Sequence, residues 1–374
     1  LKNILFLNLA AFRNYGGLEK FNRCFLKALD GLGSDLKYNA TGVSLCDEEA
    51  DEKYFPQSLY KGFNNNKFMF VLHSILKMLK QDILILGHIN TSVIGIVFKT
   101  LFPERKLVLV CHGIEVWQPL KGIKKRVMDK ADYILAVSEY TKQQIVQKQG
   151  KPASMVFVFH NTIDPYFSYP AAYKKDVVLQ KRYGIKPTDF VVYTLCRLSS
   201  KEQYKGYDAV IEAIATLCSK YQHVKYLIAG KYDEVEKKRV NELVTVKGLT
   251  DKVILAGYVD EREIVKHYQL ADVFVMPSTG EGFGIVFIEA MACGRQVIGG
   301  NADGSIDALR GGDMGTIVNA DDVYAIAKAI EDKILSINQF NDTQSALLQK
   351  KVVNYFGFDT YKGNLKTILQ SILN

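Results

Sequence analysis

The chain reads as an α/β protein built from two doubly wound parallel-sheet, Rossmann-like domains facing across a cleft. Three observations predict this. At 374 residues it is too long for one ordinary core. Short apolar runs alternate with amphipathic stretches of helical period along its whole length. The rhythm breaks once, over 164–175 (Asp-Pro-Tyr-Phe-Ser-Tyr-Pro-Ala-Ala-Tyr-Lys-Lys), where two prolines and no regular period mark an interdomain connection.

The first domain is expected over 1–168. Apolar strands are predicted at 4–9, 82–86, 106–111, 133–137 and 155–159, with helices at 18–31, 67–80, 122–130 and 139–147 between them. Near-continuous apolar strands separated by helices indicate a parallel sheet covered on both faces. The acidic stretch 47–52 (Asp-Glu-Glu-Ala-Asp-Glu) reads as a surface loop. The second domain is expected over 174–354, with strands at 190–195, 224–229, 253–256, 273–276, 296–298 and 316–318. Such sheets bind ligands beyond the carboxyl ends of their strands, so two facing domains put a site between them.

Composition narrows the classes. Hydrophobic residues make up 48% and charged residues 24%, as in globular proteins. No apolar run approaches the roughly 20 residues needed to span a bilayer. The opening Leu-Lys-Asn-Ile-Leu-Phe-Leu-Asn is strand-like and lacks the features of a secretory leader. Cysteines 24, 46, 111, 196, 218 and 293 sit far apart without Cys-x-x-Cys, so neither zinc nor a disulfide framework is implied. A cytoplasmic chain is the expectation.

The net charge of +8 is uneven: residues 1–170 hold 22 Lys and Arg against 15 Asp and Glu, the rest 26 against 25. No nucleic-acid motif accompanies the charge, so nucleic acid is not expected as a partner. The basic half suits a membrane surface, a phosphate-bearing acceptor, or simply solvated lysines. The run 121–126 (Lys-Gly-Ile-Lys-Lys-Arg) either lays the first domain on an anionic membrane, peripherally, or is a solvated helix start.

The chemistry concentrates in 277–294, Pro-Ser-Thr-Gly-Glu-Gly-Phe-Gly-Ile-Val-Phe-Ile-Glu-Ala-Met-Ala-Cys-Gly. It follows an apolar strand, turns through three glycines and opens a helix at about Gly284. Glu289 is the only charge between Phe283 and Gly294, and an ionised carboxylate in such an apolar helix needs a partner. Glu281 precedes it in the loop. Backbone N–H groups at a helix start suit a phosphate. Elsewhere, Gly16 and Gly17 enter the first long helix, where they fit either a ligand's close approach or a structural turn. The spacing is not the dinucleotide fingerprint, so no nicotinamide cofactor is expected. His112 ends another strand and is either functional or a structural hydrogen-bonder. Arg197 and Lys205 flank one strand-to-helix connection, placed for a diphosphate or as surface cations. No Asp-x-Asp, P-loop or Gly-x-Ser-x-Gly occurs, and no metal-ligand spacing.

Taken in order, Gly16-Gly17-Leu18-Glu19, His112-Gly113-Ile114-Glu115, Ala136-Val137-Ser138, Asn161-Thr162-Ile163-Asp164, Arg197 with Lys205-Gly206, and Glu281…Glu289 resemble the GT-B glycosyltransferases of family 4. The resemblance spans nearly the whole chain. It implies transfer of a sugar from a nucleotide-diphosphate donor to a glycan or lipid-linked acceptor, with retention at the anomeric carbon, no metal and no cofactor. By that analogy Arg197 and Lys205 hold the diphosphate. Gly16 and Gly17, with Glu19 in the same loop, approach its distal phosphate. Glu289 takes the ribose hydroxyls, and Glu281 the sugar. Gly282, Phe283, Gly284 and Ile285 meet sugar or phosphate, and His112 sits beside the transferred sugar. Gly230 and Tyr258 lie where the family holds the base. The segments 39–59 and 87–93 become acceptor loops, and 355–373 the final helix that crosses back onto the first domain.

Tyr204-Lys205-Gly206-Tyr207-Asp208 and the stretch 300–309 are similar to mannosyltransferases that act on lipid-linked sugars in exopolysaccharide assembly. That favours GDP-mannose over a UDP-hexose. Asp303-Gly304-Ser305-Ile306-Asp307 departs from the Gly-Gly-x-x-Glu of many members. A nucleotide-sugar epimerase or hydrolase of the same fold, and a degenerate binding scaffold, are the competing readings.

Overall fold

The computed structural model describes residues 1–13 and 16–373. The chain divides into two compact units, Leu1–Pro165 with Phe356–Asn374, and Tyr166–Tyr355. Each is built on a wholly parallel sheet.

The first unit holds β1 (Lys2–Asn8), β2 (Tyr38–Ser44), β3 (Tyr60–Gly62), β4 (Ile83–Leu86), β5 (Lys106–Cys111), β6 (Tyr133–Ala136) and β7 (Val156–Val158), in the order β3-β2-β1-β4-β5-β6-β7. Ile4 to Leu7 in β1 and Leu84 to Leu86 in β4 are buried, because helices cover both faces. The chain winds outward one way from β1 and the other way from β4, which makes the β1–β4 boundary a topological switch point.

The second unit repeats the design with β8 (Phe190–Leu195), β9 (Val224–Ala229), β10 (Val253–Gly257), β11 (Val273–Met276), β12 (Gln296–Gly300) and β13 (Thr316–Val318), in the order β10-β9-β8-β11-β12-β13. Its switch point lies between β8 and β11. Their pairing sets Val192 beside Val273 and Tyr193 beside Phe274, all four fully buried.

Two expectations for the first unit need correction. The segment 39–59 is not one loop: it begins inside β2 and ends at the Gln57–Leu59 turn that leads into β3. Tyr-Asn-Ala-Thr-Gly-Val-Ser has no apolar run to signal a strand, yet parallel pairing with β1 from Tyr38 to Ser44 orders it. Nor is 47–52 wholly a solvated loop. Asp47 is buried, and its carboxylate accepts N–H bonds from Ala11 (2.8 Å), Phe12 (3.1 Å) and Arg13 (2.9 Å) and the Tyr60 hydroxyl (2.7 Å). A buried carboxylate is tolerable when hydrogen bonds replace its water, and here they tie down the loop after β1.

The last segment is also two elements. Helix Asp342–Phe356 ends before Gly357 and helix Phe358–Leu373 follows. The latter buries Tyr361, Leu365, Ile368, Leu369 and Ile372 in the first unit, with the Tyr361 ring 4.4 Å from that of Phe159. The Phe356 carbonyl accepts from the Ile163 N–H (2.9 Å) and the Thr162 hydroxyl (2.8 Å), which joins the return to the chain leaving β7.

Candidate functional site

In the second unit, five loops leave the carboxyl ends of β8 to β12, and each carries a residue singled out above or in contact with one. Arg197 and Lys205 follow β8, Gly230 follows β9, Tyr258 follows β10, Glu281 to Ile285 follow β11 and Asp303 follows β12.

The loop 277–284 is gripped from two sides. The Thr279 N–H donates to the Tyr204 carbonyl (2.9 Å), and Gly206 packs so closely that a β-carbon there would lie 2.2 Å from the Pro277 carbonyl oxygen. Gly206 also has φ +78°, a backbone state that favours glycine. On the other side the Gly304 N–H donates to the Glu281 carbonyl (2.8 Å), and a β-carbon on Gly304 would fall 2.0 Å from the Gly282 carbonyl oxygen. The buried Asp303 carboxylate accepts the Glu281 N–H (2.6 Å) and the Ser305 N–H (2.9 Å). Burial pushes the Asp303 pKa up, to about 6.

Lys205 and Glu281 form an ion pair, both side chains largely buried. Burial alone would push the Lys205 pKa down. The adjoining carboxylate outweighs it and raises the pKa above that of an ordinary lysine, so the ammonium stays charged. Arg197 is exposed and paired with Glu202, Nε to Oε2 at 3.0 Å. Glu289 lies in helix Ile285–Ala292, 1% exposed, and accepts the Tyr268 hydroxyl at 3.0 Å. That donor answers the question of how an apolar helix carries a carboxylate. Phe283 and Ile285 are buried, and Gly284 (φ +86°) precedes the first helical residue. The Gly230 N–H donates to the Gly257 carbonyl (2.8 Å), and Tyr258 is exposed with the Lys231 Nζ 5.0 Å from its ring centre.

A second set of residues supports the Lys205 turn, and of these only Tyr207 and Asp208 lie in a stretch singled out from the sequence. The Asp233 carboxylate accepts the Ser200 N–H (2.9 Å). The fully buried Glu236 accepts Gln203 (3.2 Å), the Tyr207 hydroxyl and the Arg239 Nε (3.0 Å), and Arg239 reaches Asp208 (2.8 Å). The only signal in the sequence is an Asp-x-x-Glu helix start at 233–236, which reads as an ordinary cap.

In the first unit the corresponding loops follow β1, β4 and β5. Gly16 is extended (φ −160°) and precedes helix Gly17–Asp30. Glu19 folds back over it, one carboxylate oxygen lying 2.5 Å from where a Gly16 β-carbon would be. Asn14 and Tyr15, in the same stretch, lie outside the described residues. The His112 ring, beyond β5, has Nε2 2.7 Å from the Gly87 carbonyl oxygen. A carbonyl only accepts, so Nε2 carries the proton. Burial lowers the His112 pKa, and burial with the neighbouring His112 lowers that of His88 to about 4, so both rings are neutral at pH 7. A cavity of about 450 Å³ opens beyond β1, with Leu9, Cys46, Lys67, Phe70, Asn90 and Ile94 in its wall. The run 121–126 starts helix Gly122–Lys130, where Lys125 pairs with Asp129. Among the described residues no cluster of His, Cys, Asp and Glu could hold a metal ion, and no helix is long and apolar enough to cross a membrane.

Two parallel doubly wound units with polar loops at the carboxyl ends of their strands define the GT-B class of protein. Over their lengths the chain matches two family models, Glycosyltransferase Family 4 at residues 15–167 and Glycosyl transferases group 1 at residues 178–346. The chain belongs to the GT-B glycosyltransferases of family 4. It is 30% identical, over 61% of its length, to the GDP-mannose-dependent alpha-(1-6)-phosphatidylinositol monomannoside mannosyltransferase of Mycolicibacterium smegmatis, of which the match covers 60%. It is 28% identical to a D-inositol 3-phosphate glycosyltransferase of Mycobacterium sp., over 62% of this chain and 51% of that protein. The chain thus spans about 60% of the length of the first of these curated relatives. Its fold is that of HepE from Anabaena, solved in complex with UDP, with a TM-score of 0.77 at 21% identity over 99% of this chain and all of that one. The glycosyltransferase of Rickettsia africae gives a TM-score of 0.79 at 18% identity, covering 100% of this chain and 99% of that one.

Proposed function

We propose that the protein transfers a sugar, with retention and without a metal, from a nucleotide-diphosphate donor to a glycan or lipid-linked acceptor in polysaccharide or glycolipid synthesis. The observation that carries this is Lys205: a charged ammonium, largely buried, held at the mouth of the β8–β11 switch point beside the clamped loop 277–284. Cleaving the glycosidic bond leaves negative charge on the diphosphate. A preorganised cation in a low-dielectric site stabilises that charge most as it develops, by about 3–4 kcal/mol for comparable donors. Arg197 supplies a second cation, and the N–H groups from Phe283 to Ile285 supply dipoles at a helix start. Glu281, the ion-pair partner of Lys205, takes the sugar, and Glu289 takes the ribose. Glu281 accepts hydrogen bonds and does not attack the anomeric carbon. The leaving phosphate takes the acceptor's proton. Neutral His112, its Nε2–H committed to Gly87, is the residue that the family analogy sets beside the transferred sugar.

The donor reading leans to GDP-mannose, supported by the mannosyltransferase relative, with a UDP-hexose as the alternative supported by the UDP-bound neighbour. Thermal unfolding with GDP, UDP and ADP, each with magnesium or EDTA, tests it. A nucleotide at a hundred times its Kd adds about 2.7 kcal/mol, a rise of a few degrees in Tm. One nucleotide is expected to act, equally in EDTA. No response to any of them would leave a scaffold without a donor site.

A further inference from the structure

His88 follows β4 and starts the turn Ile89–Thr91. Its Nδ1 accepts the Asn90 N–H at 3.0 Å. A backbone N–H only donates, so Nδ1 holds the lone pair and Nε2 carries the proton. That Nε2–H has no partner among the described residues, although the ring is half-buried. Nor is Nε2 one of the sealed polar atoms that lack a hydrogen bond, so it reaches solvent.

The ring is held rigidly. It lies nearly parallel to the His112 ring, the planes 16° apart and the centroids 6.0 Å apart. His112 is fixed in turn by the Gly87 carbonyl and by the Phe21 ring, edge-on at 4.8 Å. Gly87 has no room to shift: its N–H donates to the Leu7 carbonyl (2.7 Å), and a β-carbon there would lie 2.8 Å from the Phe6 ring. Burial, then the neighbouring His112 and Lys124, outweigh Glu115 and hold the His88 pKa down, to about 4. The ring therefore stays uncharged, with its one lone pair committed to Asn90. It gives a hydrogen bond and takes no proton. A donor already fixed in place loses little freedom when a ligand uses it. Further along the same turn, Asn90, Thr91, Val93 and Ile94 wall the cavity of about 450 Å³ beyond β1, so His88 joins the His112 ring to that cavity.

We infer that His88 is an acceptor-binding residue whose Nε2–H donates to a hydroxyl of a sugar acceptor. This rests on the transferase reading, in which His112 sits beside the transferred sugar and the acceptor must lie next to it. The hydroxyl bound is not the attacking one. A hydrogen bond donated to the nucleophilic oxygen would draw on the lone pair that forms the new bond. One donated to a neighbouring hydroxyl orients the acceptor and rejects sugars that lack it.

A pair of substitutions separates this role from capping. In His88→Asn the side-chain oxygen takes the place of Nδ1 and still accepts the Asn90 N–H, but nothing replaces Nε2. In His88→Gln the amide nitrogen reaches the place of Nε2 and the cap is lost. The full chain, with GDP or UDP bound, is titrated with methyl α-D-mannoside and methyl α-D-glucoside and followed by nitrogen NMR of the histidine side chains. The His112 signal reports binding in the variants. In the wild type the His88 signal should be that of an Nε2–H tautomer and should move with one of the glycosides, while that of exposed His223 stays. His88→Asn should weaken that glycoside about tenfold, and His88→Gln should recover most of the loss. One monodeoxy analogue should bind the wild type as weakly as the parent glycoside binds His88→Asn, which should not tell the two apart. The Tm shift on adding nucleotide should be unchanged in both variants. An Nδ1–H tautomer, a His88 signal indifferent to both glycosides, or wild-type affinity in His88→Asn overturns the inference. So does a loss confined to His88→Gln, which would leave the ring a cap alone. Should His88→Asn misfold, the spectra of the intact protein and the glutamine variant decide. A missing nucleotide response in the intact protein strikes the transferase reading and this inference with it. An intact nucleotide response without a glycoside effect strikes the role of His88 alone.

Discussion

Lys205 and Glu281 neutralise each other, and removing either leaves the other buried and alone. Glu281→Gln should cost on the order of 3 kcal/mol in calorimetry, because an unpaired buried ammonium remains. A nucleoside diphosphate restores an anion, so its Tm shift should be larger in this variant than in the wild type. Lys205→Ala should do the opposite, losing the nucleotide shift and lowering kcat about 100-fold. Wild-type turnover at saturating donor in Lys205→Ala would remove it from catalysis. Asp303 makes a second residue-scale prediction. Its pKa is raised to about 6 from 3.8, so the folded state holds its proton more tightly than the unfolded chain does. The resulting stabilisation, about 3 kcal/mol, is complete below pH 3.8, fades as pH rises through 6 and is absent above. Comparing Tm between pH 4 and pH 7, Asp303→Asn should lack this component of the slope. None of these partnerships is visible in the sequence. Lys205 and Glu281 lie 76 positions apart, and Asp303 differs from a surface aspartate only by burial, which is a tertiary property.

At the scale of elements, the 277–284 loop depends on glycines contributed by its neighbours. Gly206→Ala combines a left-handed φ with a clash against backbone that has nowhere to move, and should destabilise the second unit by about 3 kcal/mol or more. Gly248→Ala is the control: φ is +68° but nothing lies within 4 Å, so only the conformational cost of about 1 kcal/mol remains. If urea titration gives the two the same loss, the clamp is not rigid. The elements themselves were legible where burial on both faces demanded apolar runs, as in β1, β4, β8 and β11. They were illegible where neighbours supplied the order. Tyr38–Ser44 carries Asn, Thr and Gly, and becomes a strand because β1 offers it a ladder. Asp47 sits among five other residues of an acidic-looking stretch, and only the fold shows which carboxylate turns inward to hold 11–13. The Gly-Glu-Gly-Phe-Gly turn was readable because glycines break the pattern between an apolar strand and an apolar helix.

At the scale of the molecule, the first unit is discontinuous: the whole of Tyr166–Tyr355 intervenes before its last helix. Deleting 358–373 uncovers the site of five buried side chains. At about 1.5–3 kcal/mol each that rivals the stability of a whole domain. Calorimetry of the deletion should lose the first unit's transition and keep the second's. Two intact transitions would mean that the helix is an accessory.

The return of the helix after Phe356 also sets a schedule. A ribosome adding 5–20 residues per second needs roughly 10–40 s to make the 190 residues between Pro165 and Phe356. Through that interval the first sheet is already synthesised while the surface that Tyr361, Leu365 and Leu369 will cover stays open to water. The second unit, contiguous in the chain, is then the one free to fold as it emerges, and the unit made first is completed last.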